Sequence, residues 1–384
     1  MTIVPESPSR AGEVLRTVHR TPGVPRAELA VQLGLSSGLA SDLVGRLVNA
    51  CWLSEGEPAA TESRGRPTRS LWPHPDGPLV AAVAISQETW RIELCELGGG
   101  VVECAHDGHG RERERVLGAV GAALAAMWRT YGSRIRSIAV SAPGIVSGSR
   151  LVQAPNLGWE DVELAVLRPR DAVAAGIGFH VGNDANDSAV AELARGAAEG
   201  LSGVLVIFME SGVGGALIDC GRVTQGAHGM SGEFGHLPLG SRRIRCRCGA
   251  SGCWNTELDG PAVARLLGRP LPADEVTFTR GVLAAARDGA HAEMRASRAV
   301  ARALGRGTAG LVNACDPERV VFCGVAATLL SVAPESVDRA YRDGLMSTRA
   351  ASPPEIVAGE VGDRAPLVGA MEAAFAPVLA HPAL

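Results

Sequence analysis

The chain has no lysine; all 37 of its Lys/Arg-type charges are arginine. With abundant alanine, glycine and proline, this reads as coding bias in a GC-rich genome and carries no function. Also missing is any apolar run near the roughly 18 residues of a membrane span, so no membrane role is expected. The first residues lack the basic-then-apolar pattern of an export signal, and a cytoplasmic location is expected. There is no excess of positive charge: the net charge is −4, so any contact with nucleic acid must be local. The nine cysteines do not space out as a disulfide framework, and six of them stand singly among apolar residues, which suits a reducing compartment.

What is present describes a soluble globular protein: 46% hydrophobic and 20% charged residues over 384 positions, enough for about two or three domains. The densest information lies between Gly226 and Cys253. Gly-Ala-His-Gly-Met-Ser-Gly-Glu-Phe-Gly-His is followed, after nine residues, by Cys-Arg-Cys-Gly-Ala-Ser-Gly-Cys. His236, Cys246, Cys248 and Cys253 make the closed three-thiolate, one-imidazole set of a structural zinc site, with one zinc expected per chain.

The stretch resembles the ROK family of bacterial sugar kinases and sugar-responsive repressors. Gly226, Gly229, Gly232, Glu233, Gly235, His236, Cys246, Cys248, Gly249, Gly252 and Cys253 stand in the family's signature places. The resemblance runs from about residue 9 to about residue 375. It implies an α/β chain: an N-terminal winged helix-turn-helix over 1–75, then a two-lobed, actin-like (ribonuclease H-like) sugar-kinase fold over 76–384. Lobe one would take 79–182 plus the C-terminal helix, and lobe two 183–360.

The residues themselves support that order. Ala11, Val14, Leu15 and Val18 share one helical face, Thr21-Pro22-Gly23 breaks the helix, and Pro25 opens a second. A third helix, capped by Ser36 or Ser37, turns Ala40, Leu43, Val44 and Leu47 inward. Residues 52–72 suit a wing. The third helix would offer Ser37, Ser41 and Arg46 to DNA, beside a repelling Asp42. Residues 1–75 hold eight arginines against seven carboxylates, a charge of +1. Arg64, Arg66 and Arg69, on an extended Gly/Pro segment, are the stronger candidates for minor-groove contact. A helical module for protein contacts is the alternative.

From Leu79 onward strand-like runs alternate with Ala-rich helices. A meander over 79–104 turns at Gly98-Gly99-Gly100, a strand ends at Asn183-Asp184, and a glycine-rich hairpin spans 204–220. Asp184 begins a helix, where free backbone N–H groups would keep it ionised. The resemblance gives Asn183, Asp184, Glu233, His236 and Asn156 as sugar contacts and Asp184 as the family's general base. Two departures stand out. Asn255 occupies the place of a sugar-contacting Glu. Ala84-Ile85-Ser86-Gln87-Glu88 occupies the place of Asp-x-Gly-Gly-Thr, the loop that holds ATP phosphate in the kinases.

No catalysis is therefore expected, with Asp184 vestigial. The reading is a DNA-binding regulator, a homodimer or homotetramer, that senses a sugar or sugar-like effector. The alternatives are an ATP-dependent hexose kinase with an accessory DNA-binding domain, or a ROK body reused for a non-carbohydrate ligand or protein partner.

Overall fold

The computed structural model describes residues 9–58 and 69–382. Helices Arg10–Arg20, Arg26–Gln32 and Ser37–Asn49 lead into antiparallel strands Leu53–Pro58 and Arg69–Pro73. Two helices start on side-chain caps: Ser9 Oγ accepts the Gly12 N–H and Ser36 Oγ accepts the Leu39 N–H. Gly23 has φ +90°, and a Cβ there would stand 2.7 Å from the Trp72 ring, so only glycine lets the first turn close on the wing. Val14, Leu15, Val18, Leu29, Leu43, Leu47, Leu53 and Leu71 bury together. This is the winged helix-turn-helix order. Arg64 and Arg66 lie outside the described residues.

The body has two five-stranded sheets. In the first the order is Gly178–Asn183, Ile135–Ala142, Leu79–Ile85, Thr89–Glu96, Val101–Gly108; the first three run parallel and the last three form the expected meander. The second places Val204–Met209 between Val213–Asp219 and the parallel strand Arg319–Gly324, with short strands at either edge. A three-stranded sheet, 145–163, rises beside the first. Helices His291–Cys315, Pro334–Gly344 and Glu275–Arg287 cover the second sheet with the largest apolar cluster. Cys51 and Cys220 are exposed at positive φ in turns, and Cys104 is exposed on an outer strand; apolar neighbours in sequence do not bury them.

Helix Ala365–Ala380 returns to the first sheet. Ala370, Met371, Ala374 and Phe375 meet Val80, Ala82 and Ala139 on one side and Val14 and Val18 of the first helix within the same cluster. The helix-turn-helix and the body thus share a core. The seam also holds a buried polar node. His19 is 3% exposed; its Nδ1 accepts the Gly98 N–H at 2.8 Å, so Nε2 carries the hydrogen toward Glu372 at 3.2 Å. Arg195 donates to Glu372 at 2.5 Å and to the Gly98 carbonyl at 3.0 Å. Burial alone would push the Glu372 carboxyl up, but the hydrogen bond from His19 and the Arg195 charge outweigh it and hold the group below its ordinary value. Arg195 ends helix Asp184–Arg195, whose first turn lies in the cleft described next.

Candidate functional site

Glycine builds the floor of the site. The segment 229–236 lies so close to strand Val213–Asp219 that a Cβ at Gly232 would stand 2.0 Å from the Gly215 carbonyl oxygen, and one at Gly235 2.1 Å from that of Val213. This is why the Gly-x-x-Gly-Glu-x-Gly-His spacing is needed. It sets His236 facing the cysteine loop, in which the Cys246 N–H bonds the Ala250 carbonyl. The ligand atoms of His236, Cys246, Cys248 and Cys253 all lie within 4.8 Å of one another. Cys248 Sγ is 3.7 Å from Cys253 Sγ, and Cys246 Sγ is 3.8 Å from His236 Nδ1. Tetrahedral bonds of about 2.3 Å to sulfur set donor atoms roughly 3.8 Å apart, so the set fits a metal ion such as zinc. His236 Nε2 points instead at Glu233, 3.7 Å away.

Beside this loop opens a cavity of about 390 Å³, lined by Asn156, Asn183, Asp184, Glu233, His236 and Asn255. The six residues come from the loop after strand Arg150–Ala154, the start of helix Asp184–Arg195, the glycine segment and the turn after the last cysteine. Asn183, not Asp184, caps that helix: its Oδ1 accepts the Ala185 and Asn186 N–H groups, and its Nδ2 donates to the Gly144 carbonyl at 2.9 Å. Asp184 does not stay firmly ionised, as its helix position alone predicts. Burial, with the Glu233 and Glu210 charges adding, pushes its carboxyl up to about 7, against the opposing Ala185 hydrogen bond. Position in sequence reveals the helix start but not the burial.

A family model described as the ROK family matches residues 83–376, more than half of the chain. The chain belongs to the ROK family. A glucokinase from Streptomyces coelicolor is 27% identical over 263 residues, covering 64% of this chain and 82% of its own length. A xylose repressor from Caldicellulosiruptor bescii is 24% identical over 329 residues, covering 80% of this chain and 81% of its own. The crystal structure of a ROK family transcriptional regulator, a homolog of the Escherichia coli MLC protein, superposes with a TM-score of 0.73 at 24% identity and covers 95% of each chain. That likeness establishes the fold, including the winged unit.

Against this ROK background the departures acquire a geometry. Asn255 Oδ1 accepts the Val213 N–H at 2.8 Å, which leaves its Nδ2 as the group available to the cavity. Glu257 is turned away from the cavity, accepting the Ser241 N–H at 2.9 Å. In the first phosphate loop the Ser86 N–H is spent on the Thr89 carbonyl at 2.8 Å, and Ser86 Oγ accepts the Thr89 N–H at 3.1 Å. Glu88 pairs with Arg111, whose guanidinium also donates to the Ala273 carbonyl at 2.9 Å across the cleft. The Ser86 and Thr89 N–H groups are thus spent within the turn, and the Arg111 guanidinium ties Glu88 to the Ala273 carbonyl.

Sequence reasoning missed Arg247, Glu210 and Ser211, which also line the cavity. Arg247 sits between Cys246 and Cys248, where x in Cys-x-Cys carries no signal. Its guanidinium pairs with the buried Glu275 and reaches Asn156 Oδ1 at 3.4 Å. Glu210 is pushed up by burial, against the opposing Arg280 charge, and accepts from Arg280 at 2.9 Å.

On the winged unit, Ser37, Ser41 and Arg46 are exposed along helix Ser37–Asn49. Arg69 is exposed but not free: its Nη1 meets Glu55 at 3.1 Å, and Arg26 meets the same carboxylate at 3.2 Å. The carboxylate spends part of that charge before any DNA arrives.

Proposed function

We propose that this protein is a ROK-family transcriptional regulator that binds double-stranded DNA through the unit 1–75 and senses a sugar or sugar-like metabolite in the body 76–384. The observation that carries the reading is the glycine-free turn Ser86–Thr89, bonded on itself and with Glu88 tied to Arg111, on a sugar-kinase body that bears a winged helix-turn-helix. Hydroxyl groups of the effector would meet Asn156, Asn183, Asp184, Glu233 and Asn255. A structural zinc on His236, Cys246, Cys248 and Cys253 would hold the wall from which His236 and Glu233 face the ligand. Lobe closure would reach the first helix through helix Asp184–Arg195 and its Arg195 terminus, shifting a two-state equilibrium of a dimer or tetramer. Ser37, Ser41 and Arg46 would face the major groove, and Arg64 and Arg66, with Arg69 at the wing root, the minor groove.

DNA binding is tested by fluorescence anisotropy on operator fragments selected from genomic DNA. Arg64→Ala with Arg66→Ala is expected to weaken binding by about 1–3 kcal/mol per base-reading contact and to lower the salt slope, with effector affinity unchanged. Wild-type protein that selects no specific DNA overturns the regulator reading.

The kinase reading has one observation in its favour, the buried Asp184 in the position of the family's base. A coupled ADP-release assay across hexoses decides it. No ATP-dependent turnover is expected; turnover near 1 s⁻¹, within the common enzyme range of about 1–1000 s⁻¹, that disappears in Asp184→Ala would replace the regulator by the kinase.

A further inference from the structure

A second cavity, of about 460 Å³, opens on the outer face of the second lobe and shares no residue with the sugar pocket. Arg298, Arg302 and Arg306 line it from helix His291–Cys315, and Arg339 from helix Pro334–Gly344. The first three stand at i, i+4 and i+8, which puts them on one helical face along about 12 Å. The two helices meet closely because Gly305 leaves no side chain between them; a Cβ there would stand 2.5 Å from the Val337 carbonyl oxygen. Gly344 does the same against Ala309, at 2.7 Å. The solvent side above this close crossing forms the groove.

Its charge is not balanced from within. Glu335 and Asp343 also line the groove, so four guanidiniums face two carboxylates, four minus two leaving +2, on a chain whose net charge is −4. Among the described residues none of the four arginines is in an ion pair, whereas the neighbouring Arg342 is held by Asp338 at 2.8 Å. Like charges at i, i+4 weaken a helix, so the row is unfavourable until an anion joins it. Guanidinium forks match phosphate oxygens in pairs, and a row of this length exceeds what one phosphate group can touch.

We propose that this groove is an anion site for a small molecule carrying a chain of two or three phosphates. The three arginines of the long helix would follow the phosphate chain, Arg339 would close it from the facing helix, and Glu335 and Asp343 would accept hydroxyl groups at its ends. The phosphate chain could belong to a nucleotide or be an inorganic oligophosphate.

Isothermal titration of the full zinc-loaded chain tests this with inorganic tripolyphosphate, ATP and glucose 6-phosphate as probes. Tripolyphosphate is expected to bind once per chain, with glucose 6-phosphate much weaker. Arg302→Gln with Arg306→Gln should lower that affinity by about tenfold or more, the scale of losing hydrogen bonds to a charged group. Arg339→Gln, on the other helix, should weaken it as well, and circular dichroism confirms that each variant folds. ATP binding that is lost in the same variants assigns the site to nucleotides; tripolyphosphate binding without ATP binding assigns it to inorganic oligophosphate. Absence of tripolyphosphate binding, or binding that the arginine variants leave unchanged, overturns the proposal. Neither result bears on DNA or sugar binding, which are measured separately.

Discussion

Cys248→Ser is expected to leave a protein that binds no stoichiometric metal and has lost the cooperative melt of its second lobe. Structural zinc supplies on the order of 10 kcal/mol to folding, which is comparable to the whole net stability of a domain, about 5–15 kcal/mol. The effect is large here because the cysteine loop, although laced by its own backbone hydrogen bonds, buries little apolar surface. Arg245 and Ser251 make one isolated bridge, and residues 241–245 and 249–251 are mostly exposed. The loop nonetheless supplies part of the wall of the first cavity, through Cys246, Arg247 and Cys248. Chelation of wild type should therefore abolish effector binding before the first lobe melts. Elemental analysis with thermal denaturation measures both effects. A folded, metal-free wild-type protein that still binds effector would sink the assignment.

The next largest effect is expected at Glu372. Its carboxylate is 15% exposed and receives His19 and Arg195 together. Glu372→Ala leaves a guanidinium that is 24% exposed facing an imidazole with no acceptor between them. Breaking a buried charge pair from one side costs about 3–5 kcal/mol, and the partial exposure of both groups puts this case near the lower end. The loss should fall on the seam: amide exchange should rise over helix Arg10–Arg20 while the second sheet stays protected. Glu372→Gln keeps an acceptor and should lie between the two. In operator binding, Glu372→Ala should bind DNA yet ignore effector. Equal protection of the first helix in wild type and variant would remove the seam from the coupling route.

The cysteine and glycine spacing made the metal set and the pocket floor legible, because ligand chemistry and close backbone approach both constrain sequence locally. The three N-terminal helices were legible from apolar periodicity and from Ser36. Less was visible where distant segments meet. Asp184 looked like an ionised residue at a helix start, and only the packing of the cleft around it raises its carboxyl. Glu88 was visible only as part of a departed phosphate loop; Arg111, 23 positions later, is what partners it. The His19–Glu372 pair spans 353 positions and leaves no local pattern at all.

The shared core between helix Arg10–Arg20 and helix Ala365–Ala380 also sets an order of events during synthesis. Ser9 and Ala380, which are hydrogen-bonded in the finished fold, are 371 positions apart. At about 5–20 residues per second, the first helix leaves the ribosome on the order of half a minute before the surface it packs against exists. Until then Val14 and Val18 have no partner in Phe375. A chain cut short before the last helix would carry the winged unit without its seat, one that degradation can recognise by its exposed apolar face. Completion of the polypeptide thereby becomes a condition for a stable winged unit.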